Sequence, residues 1–459
     1  MNASTSRQAQ DLPALPFSRA AIHAAYAAGV HAEAIVVEAH RRIEAAADPG
    51  IFLDLVPRDA LEATARALPP FDPQRFPLWG LPVAIKDNIA VAGRAMTAAC
   101  PAFAHVPTTD AVVVARLRAA GALVLGKTNL DQFATGLVGV RTPYPIPRNV
   151  RDPARVPGGS SSGSAVAVAR GIACLALGTD TAGSGRVPAA LNGIVGLKPS
   201  VGAVPSTGVV PACRSIDCVS VFATTVDDAW AGLRAIAGDD PDDPFSRPMA
   251  WREPGPTPRR LAVPRAADLH LDDVPARAAW TAARALLPAA DEADISAMLA
   301  VARLLYDGPF VAERAVAFGA FAAAHPGALH PVTQRILDGA SRFSAVDAFA
   351  AMQDLAGQRR AAEHFFARHD ALVVPSVPCF PTLADLEADP VGPNARLGTY
   401  TNFVNLLDLA AIAVPGPERP DGLPAGVTFI GPRGSDADLA ALAADFAAAV
   451  AARPAGAAA

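Results

Sequence analysis

The chain has 459 residues, of which 51% are hydrophobic and 18% charged, a composition that excludes a disordered chain and fits a globular one with a large buried core. Its net charge of −5 argues against a nucleic-acid-binding surface, which would be basic. The N-terminal stretch MNASTSRQAQDLPALP lacks the apolar core of a signal peptide, no apolar run reaches the roughly 18 residues of a membrane span, and the five cysteines form no C-x-x-C pair; the expected compartment is a reducing cytoplasm, with neither a disulfide framework nor a zinc site.

In chain order, residues 17–68 read as helices, because FSRAAIHAAYAAGV and HAEAIVVEAHRRIEAAA place apolar residues three and four apart. The proline-rich PPFDPQRFPLWGLP ends that pattern, and VAI follows as a short buried strand running up to Lys86. Helix and strand patterns then alternate: AVVVARLRAAG (111–121) a helix, ALVLG (122–126) a strand, SAVAVARG (164–171) a helix, ACLALG (173–178) a strand. Residues 275–368 read as mostly helical with a break at Gly308-Pro309, ALVVPSVP (371–378) and GVTFIG (426–431) as strands, and the chain after Ser435 as an alanine-rich helix that frays. This rhythm predicts an α/β fold, and the absence of an internal repeat or long linker predicts a single domain over 1–459.

Lysine occurs only at Lys86, Lys127 and Lys198 among 39 basic residues. Where arginine is so strongly preferred, a surviving lysine marks a position that needs what arginine cannot supply, a neutral amine at working pH. All three lysines fall around PGGSSSGSAVAVARG (157–171), a stretch with the composition of a flexible linker that runs straight into a helical pattern. Two motif matches nearby lack their structural context. GALVLGKT (121–128) fits the phosphate-loop spacing, but its ALVL is the strand itself and not the loop. GSSSG (159–163) fits a nucleophile elbow around Ser161, but no strand leads into it. The chemistry left open by the residues is serine with lysine, in which a neutral lysine takes the proton from a hydroxyl.

GLPVAIKDN (80–88), GKTNLDQFATG (126–136), PGGSSSGSA (157–165) and LGTDTAGSGRVPAALNGIVGLKPS (177–200) together resemble the amidase signature family, over essentially the whole chain from about residue 60. The resemblance implies a large mixed, twisted β-sheet covered by helices on both faces, an α/β/α sandwich. It implies a catalytic set of Lys86, Ser160 and Ser184, with a cis peptide between Gly159 and Ser160. Backbone amides of Thr181, Ala182 and Gly183 would form the oxyanion hole, and Asp180 with Arg186 a structural ion pair. Lys127 and Lys198 match structural positions. The chain departs from the commoner family pattern at Ala182, where many members carry glycine; the amide survives that change, so activity is expected to persist.

STGVVPACRSIDCVSVFA (206–223), LLYDGPFVAERAVAF (304–318) and TYTNFVNLLDLAAIAVP (399–415) resemble the branch of that family that hydrolyses allophanate, urea-1-carboxylate. In that branch a tyrosine and an arginine eight residues on hold the substrate carboxylate, and Tyr306 and Arg314 match them; a guanidinium fork suits a small anion. Gly136 matches a position lining the pocket. The mostly helical stretch 275–368 then becomes the substrate side, and 17–68 an N-terminal helical segment. The implied partners are allophanate and, in the pathway, a urea carboxylase, with no metal, nucleotide or organic cofactor and no membrane. A homodimer is kept open as the assembly. Longer members of the branch carry a further C-terminal domain, which this sequence is read as lacking. The alternatives are another small amide such as malonamate or biuret, the glutamine-hydrolysing component of a tRNA-dependent amidotransferase, or a binding protein without catalysis.

Overall fold

The computed structural model describes residues 12–247, 249–251, 254 and 259–453; the polar start (1–11) and the end expected to fray (454–459) lie outside the described residues. Eleven strands among them form one mixed sheet: β1 (Phe52–Leu55), β2 (Pro82–Lys86), β3 (Leu123–Thr128), β4 (Leu175–Asp180), β5 (Val195–Lys198), β6 (Cys218–Ala223), β7 (Leu261–Pro264), β8 (Ala290–Ala293), β9 (Ala371–Pro375), β10 (Leu409–Pro415) and β11 (Gly426–Pro432). The spatial order is β1-β3-β2-β4-β6-β5-β10-β11-β9-β7-β8. β3, β2 and β4 are mutually parallel neighbours, as are β8, β7 and β9, and the pairings between β4 and β9 are antiparallel.

Alternation along the central strands shows why both faces must be covered. In β9, Ala371 and Val373 enter one apolar core while Leu372 and Val374 enter a second; in β10, Ala410, Ile412 and Val414 face the first and Leu409 and Ala411 the second. Helices at 19–27, 32–46, 112–119, 162–169, 226–236 and 436–451 contribute apolar residues to the first core. Helices at 187–192, 296–301, 345–366 and 402–406 contribute to the second. This is the α/β architecture expected from the sequence. The region 275–368 divides, because Trp280 and Ala283 join the first core, the helices at 296–301 and 345–366 the second, and Phe318, Ala322, Leu329 and Leu337 a third, smaller cluster with Phe133.

Several strands differ from the sequence reading. β1 falls inside 17–68, read as helical, and β8 inside 275–368. Both are four-residue edge strands, too short to carry a period, and β8 is ADEA, with the charged residues that edge strands tolerate. β5, β7 and β10 are also absent from the sequence reading, since alanine and glycine blur their apolar signature; β6, CVSVFA, is absent too although its alternation of apolar residues is that of a strand. Gly126, Lys127 and Thr128 lie within β3 and pair with β2, so GALVLGKT is strand and not a phosphate loop.

The topology places the site. Because β3, β2 and β4 are parallel neighbours, their carboxyl ends lie together, Thr128 beside Lys86 and β4 running on past them to Asp180, at the end of the sheet where loops of open α/β sheets gather ligands.

Candidate active site

Lys86, the last residue of β2, is fully buried. Its Nζ donates to Ser160 Oγ at 2.7 Å and to Thr179 Oγ1 at 2.8 Å, and no carboxylate among the described residues forms an ion pair with it. Burial pulls its pKa from 10.5 down to about 7, against an opposing pull from the carboxylates of Asp131, Asp217 and Asp180. The other lysines are placed differently. Lys127 is paired with Asp87 at 2.8 Å, and Lys198 donates to the Pro199 carbonyl at 2.7 Å.

The serine-rich stretch is no linker. Ser160, Ser161, Ser162 and Ser164 are all buried, and the Gly159–Ser160 peptide is cis. Ser161 Oγ donates to the Thr179 carbonyl at 3.2 Å and Ser164 Oγ to the Leu177 carbonyl at 2.9 Å, tying the loop and the helix 162–169 to β4. Gly159 is required sterically, since a Cβ there would run into Asp131 Oδ2 and the backbone of Gly139.

Ser184 sits in the turn after β4, and Asp180 organises that turn. Its carboxylate accepts the amides of Gly183 (2.9 Å) and Gly185 (3.0 Å) and both prongs of the buried Arg186 guanidinium, each at 2.9 Å. From across the sheet, Arg186 also donates to the Thr401 carbonyl (3.1 Å), Thr401 Oγ1 donates to the Ala182 carbonyl (2.6 Å) and Asn405 Nδ2 to the Asp180 carbonyl (2.7 Å). The Thr181 hydroxyl donates to Asp217, whose carboxyl is pushed up to about 6 by burial, despite accepting that bond and the amides of Ala212 and Cys213. Of the three amides expected to face an oxyanion, that of Gly183 is already donated to Asp180; those of Thr181 and Ala182 have no protein acceptor among the described residues. Ser184 Oγ donates to the Gly136 carbonyl at 3.3 Å and is not bonded to Ser160.

Gly183 has a φ of +129°, and a Cβ there would strike the Thr401 side chain. Gly183→Ala is therefore expected to lower stability by roughly 2 kcal/mol and turnover at least about tenfold, read by thermal melts and ammonia release. Unchanged values for both would show that the turn can rearrange freely.

Arg314 is fully buried in the short helix Ala312–Arg314, followed by a π-helical turn, Ala315–Gly319. Phe318 in that turn stacks on Phe133 with ring centroids 4.4 Å apart, joining the Arg314 segment to the loop that carries Gly136. The guanidinium lies over the half-buried Tyr306 ring, 4.7 Å from its centroid. Arg314 Nη1 donates to Cys213 Sγ (3.3 Å) and the Leu305 carbonyl (3.4 Å), whereas Nε and Nη2 are buried without any partner. Its chain neighbour Glu313 forms no ion pair with it, the carboxylate accepting the Ser215 amide at 2.9 Å and the Ser215 hydroxyl instead. Two idle nitrogens on a buried cation are costly unless an anion takes them up. Tyr306 lines a solvent-connected cavity of about 1480 Å³, together with Arg141, Asn394, Gly398 and Asn402. Lys86 and Ser184 do not line it; Thr401, next to Asn402, connects the cavity wall to the Ser184 turn.

The structure thus brings Lys86 against Ser160, Ser184 against Gly136, Asp180 against Arg186 and Tyr306 against Arg314. The sequence reading missed Thr179, Asp217, Thr401, Asn405, Cys213 and Arg141. Thr179 lies within the GTDTAGS run and was legible there; Thr401 and Asn405 reach the Ser184 turn from more than 200 residues away. Among the described residues, no group of three or more His, Cys, Asp and Glu side chains is placed to hold a metal ion, and no helix is long and apolar enough to cross a membrane.

Comparison with known proteins follows the same residues. The family model described as Amidase matches residues 34–440. The urea amidolyase of Lachancea kluyveri is 46% identical over 378 residues, covering 81% of this chain and 21% of the relative, and that of Saccharomyces cerevisiae is 45% identical with the same coverage. The chain thus spans about a fifth of the length of these curated relatives. A glutamyl-tRNA(Gln) amidotransferase component from Symbiobacterium thermophilum is 36% identical over 410 residues, covering 80% of this chain and 82% of the relative. Among solved structures, the Kluyveromyces lactis allophanate hydrolase superposes with a TM-score of 0.89 at 40% identity, over 94% of this chain and 72% of that one.

Proposed function

Since the chain belongs to the amidase signature family, we propose that it is an amidohydrolase acting on allophanate, with Ser184 as nucleophile, Ser160 as proton relay and Lys86 as the base. The observation that carries the substrate is Arg314: a buried guanidinium with Nε and Nη2 unpartnered, stacked on Tyr306, fits a small carboxylate. Likeness to the Kluyveromyces lactis allophanate hydrolase and to urea amidolyases supports the same substrate.

In this reading the Ser184 hydroxyl leaves the Gly136 carbonyl and turns to Ser160, which passes the proton to neutral Lys86. Ser184 Oγ attacks the terminal amide carbon, and the oxyanion forms against the free amides of Thr181 and Ala182, with Gly183 fixed between them and the nucleophile by Asp180. Donors set in place before the reaction, as these are by the Asp180–Arg186–Thr401 network, each contribute about 3–4 kcal/mol to the transition state. The proton returns through Ser160 to the leaving nitrogen, and the C–N bond breaks to release ammonia. Water then cleaves the acyl-enzyme to N-carboxycarbamate, which loses carbon dioxide to carbamate and then a second ammonia, so each allophanate yields two ammonia and two carbon dioxide. A reaction that carboxylates urea supplies the substrate, which places a urea carboxylase upstream in the pathway.

Ammonia release from allophanate, malonamate, biuret and glutamine by the same preparation tests the reading. Allophanate is expected to have the highest kcat/KM; a glutamine preference would move the chain to the amidotransferase side of its relatives. Arg314→Gln is expected to raise the allophanate KM by about 100-fold, since a charge-assisted bidentate contact is lost, with a much smaller effect on kcat. Equal losses on allophanate and the uncharged biuret would remove Arg314 from the carboxylate site.

A further inference from the structure

A second buried guanidinium is left without a role in this chemistry. Arg141 is only 2% exposed, yet it borders the cavity that reaches Tyr306. Its side chain is held by two neutral acceptors, the Thr135 carbonyl at 3.0 Å and the Pro390 carbonyl at 3.1 Å. No ion pair joins it to a carboxylate among the described residues. Asp131, the carboxylate that acts on it electrostatically, bonds instead to the main chain of its own loop, accepting the amides of Val138 (3.2 Å), Gly139 (2.9 Å) and Arg141 itself (2.8 Å). Burial lowers the pKa of Arg141 against the pull of the Asp131 carboxylate, which makes no hydrogen bond to the guanidinium, and the neighbouring Arg314 acts in the same direction as burial. Both guanidiniums act on the Tyr306 phenol, favouring its ionised form against the effect of burial.

A structural clip between Thr135 and Pro390 needs N–H donors but no charge, and a neutral amide would serve. A permanently charged group in that position, close to a second one, costs more than it returns unless an anion visits. The cavity offers the route. Arg141 and Tyr306 share its lining, whereas Arg314 stands behind Tyr306.

We propose that Arg141 is a specificity-determining residue that meets the substrate carboxylate in the cavity, ahead of Arg314, and makes the site selective for anionic amides. The inference rests on the allophanate reading and deepens it. Arg141 acts on capture and not on bond breaking, so its charge belongs in KM and in the salt dependence of kcat/KM.

The test compares Arg141→Gln, which keeps N–H donors for the two carbonyls, with Arg141→Lys, which keeps the charge, and with Arg314→Gln. Malonate, a small dicarboxylate that is not hydrolysed, serves as the binding probe by calorimetry, beside allophanate kinetics at two salt concentrations. R141Q is expected to raise the allophanate KM and the malonate Kd about tenfold with kcat within threefold, and to flatten the salt dependence; R141K is expected to recover most of both. Malonate affinity unchanged in R141Q, or R141K no better than R141Q with kcat and melting temperature falling together, would reduce Arg141 to a clip and overturn the inference. If R314Q weakens malonate and R141Q does not, the substrate reading stands and this inference falls. If the unaltered protein releases no ammonia from allophanate, the substrate reading falls, and the malonate measurements still decide whether Arg141 binds an anion.

Discussion

Ser184→Ala is expected to reduce ammonia release from allophanate by at least about 10⁴-fold while leaving malonate affinity within about threefold of the unaltered protein. The size of the loss follows from the absence of a substitute. The two hydroxyls bonded to Lys86 are those of Ser160, fully buried in the loop held to β4, and Thr179, within β4 itself, and neither belongs to the turn that carries the free amides of Thr181 and Ala182. The spared affinity follows from the way the turn is held. Asp180, Arg186, Thr401 and Asn405 fix its backbone through amides, carbonyls and a guanidinium, and none of these bonds uses the Ser184 hydroxyl. That hydroxyl makes one long bond, 3.3 Å to Gly136, so its removal costs little stability and the melting temperature is expected to move by no more than about 2 °C. Turnover near that of the unaltered protein would overturn the nucleophile assignment. Lost turnover together with lost malonate binding would instead mean that the side chain shapes the pocket.

How far the sequence could be read depends on where each part of the site is encoded. Lys86, Ser160 and Ser184 lie in short local runs, GLPVAIKDN, PGGSSSGSA and GTDTAGSGR, whose order along the chain carries the catalytic reading. The scarcity of lysine points, independently of any family, to the region that holds Lys86, Lys127 and Lys198, without singling out Lys86. What holds these residues in place is not local. Thr401 reaches Ala182, and Asn405 reaches Asp180, across 219 and 225 positions; both lie in TYTNFVNLLDLAAIAVP, but nothing in that run shows that they bond to the Ser184 turn. Arg314 is the sharper case. Beside Glu313 in the sequence it resembles a solvated helix residue; only the fold shows that Glu313 is spent on Ser215 and that Arg314 is buried with two nitrogens idle. The strands divide in the same way. The apolar runs of β2, β3 and β4 were legible, whereas β1 and β8 are strands only because a neighbour lies beside them.

Replacement of Lys86 is expected to cost as much as replacement of Ser184, and by either Met or Arg, because the function required is to be neutral and then accept a proton. Arginine keeps a positive charge but cannot give it up in water, so Lys86→Arg tests the proton-transfer role apart from charge. The pH profile gives the sign. With a pKa of about 7, Lys86 is neutral above that pH and able to take the proton from Ser160; below it the amine is charged, and kcat/KM should fall about tenfold per pH unit. Burial sets that value and the carboxylates of Asp131, Asp217 and Asp180 restrain it, so removing one of those charges should lower it further. Asp217→Asn is the informative variant, since its amide oxygen can still accept the main-chain amides of Ala212 and Cys213 while its Nδ2 donates to the Thr181 hydroxyl, which turns round to accept. It is expected to move the acid limb of kcat/KM toward lower pH, with a loss of plateau rate of less than about tenfold. An acid limb that stays in place in Asp217→Asn, or activity that survives Lys86→Arg, would show that the titrating base is not Lys86. A limb that moves would tie the oxyanion turn and the proton acceptor together electrostatically, through a carboxylate that touches one and only influences the other.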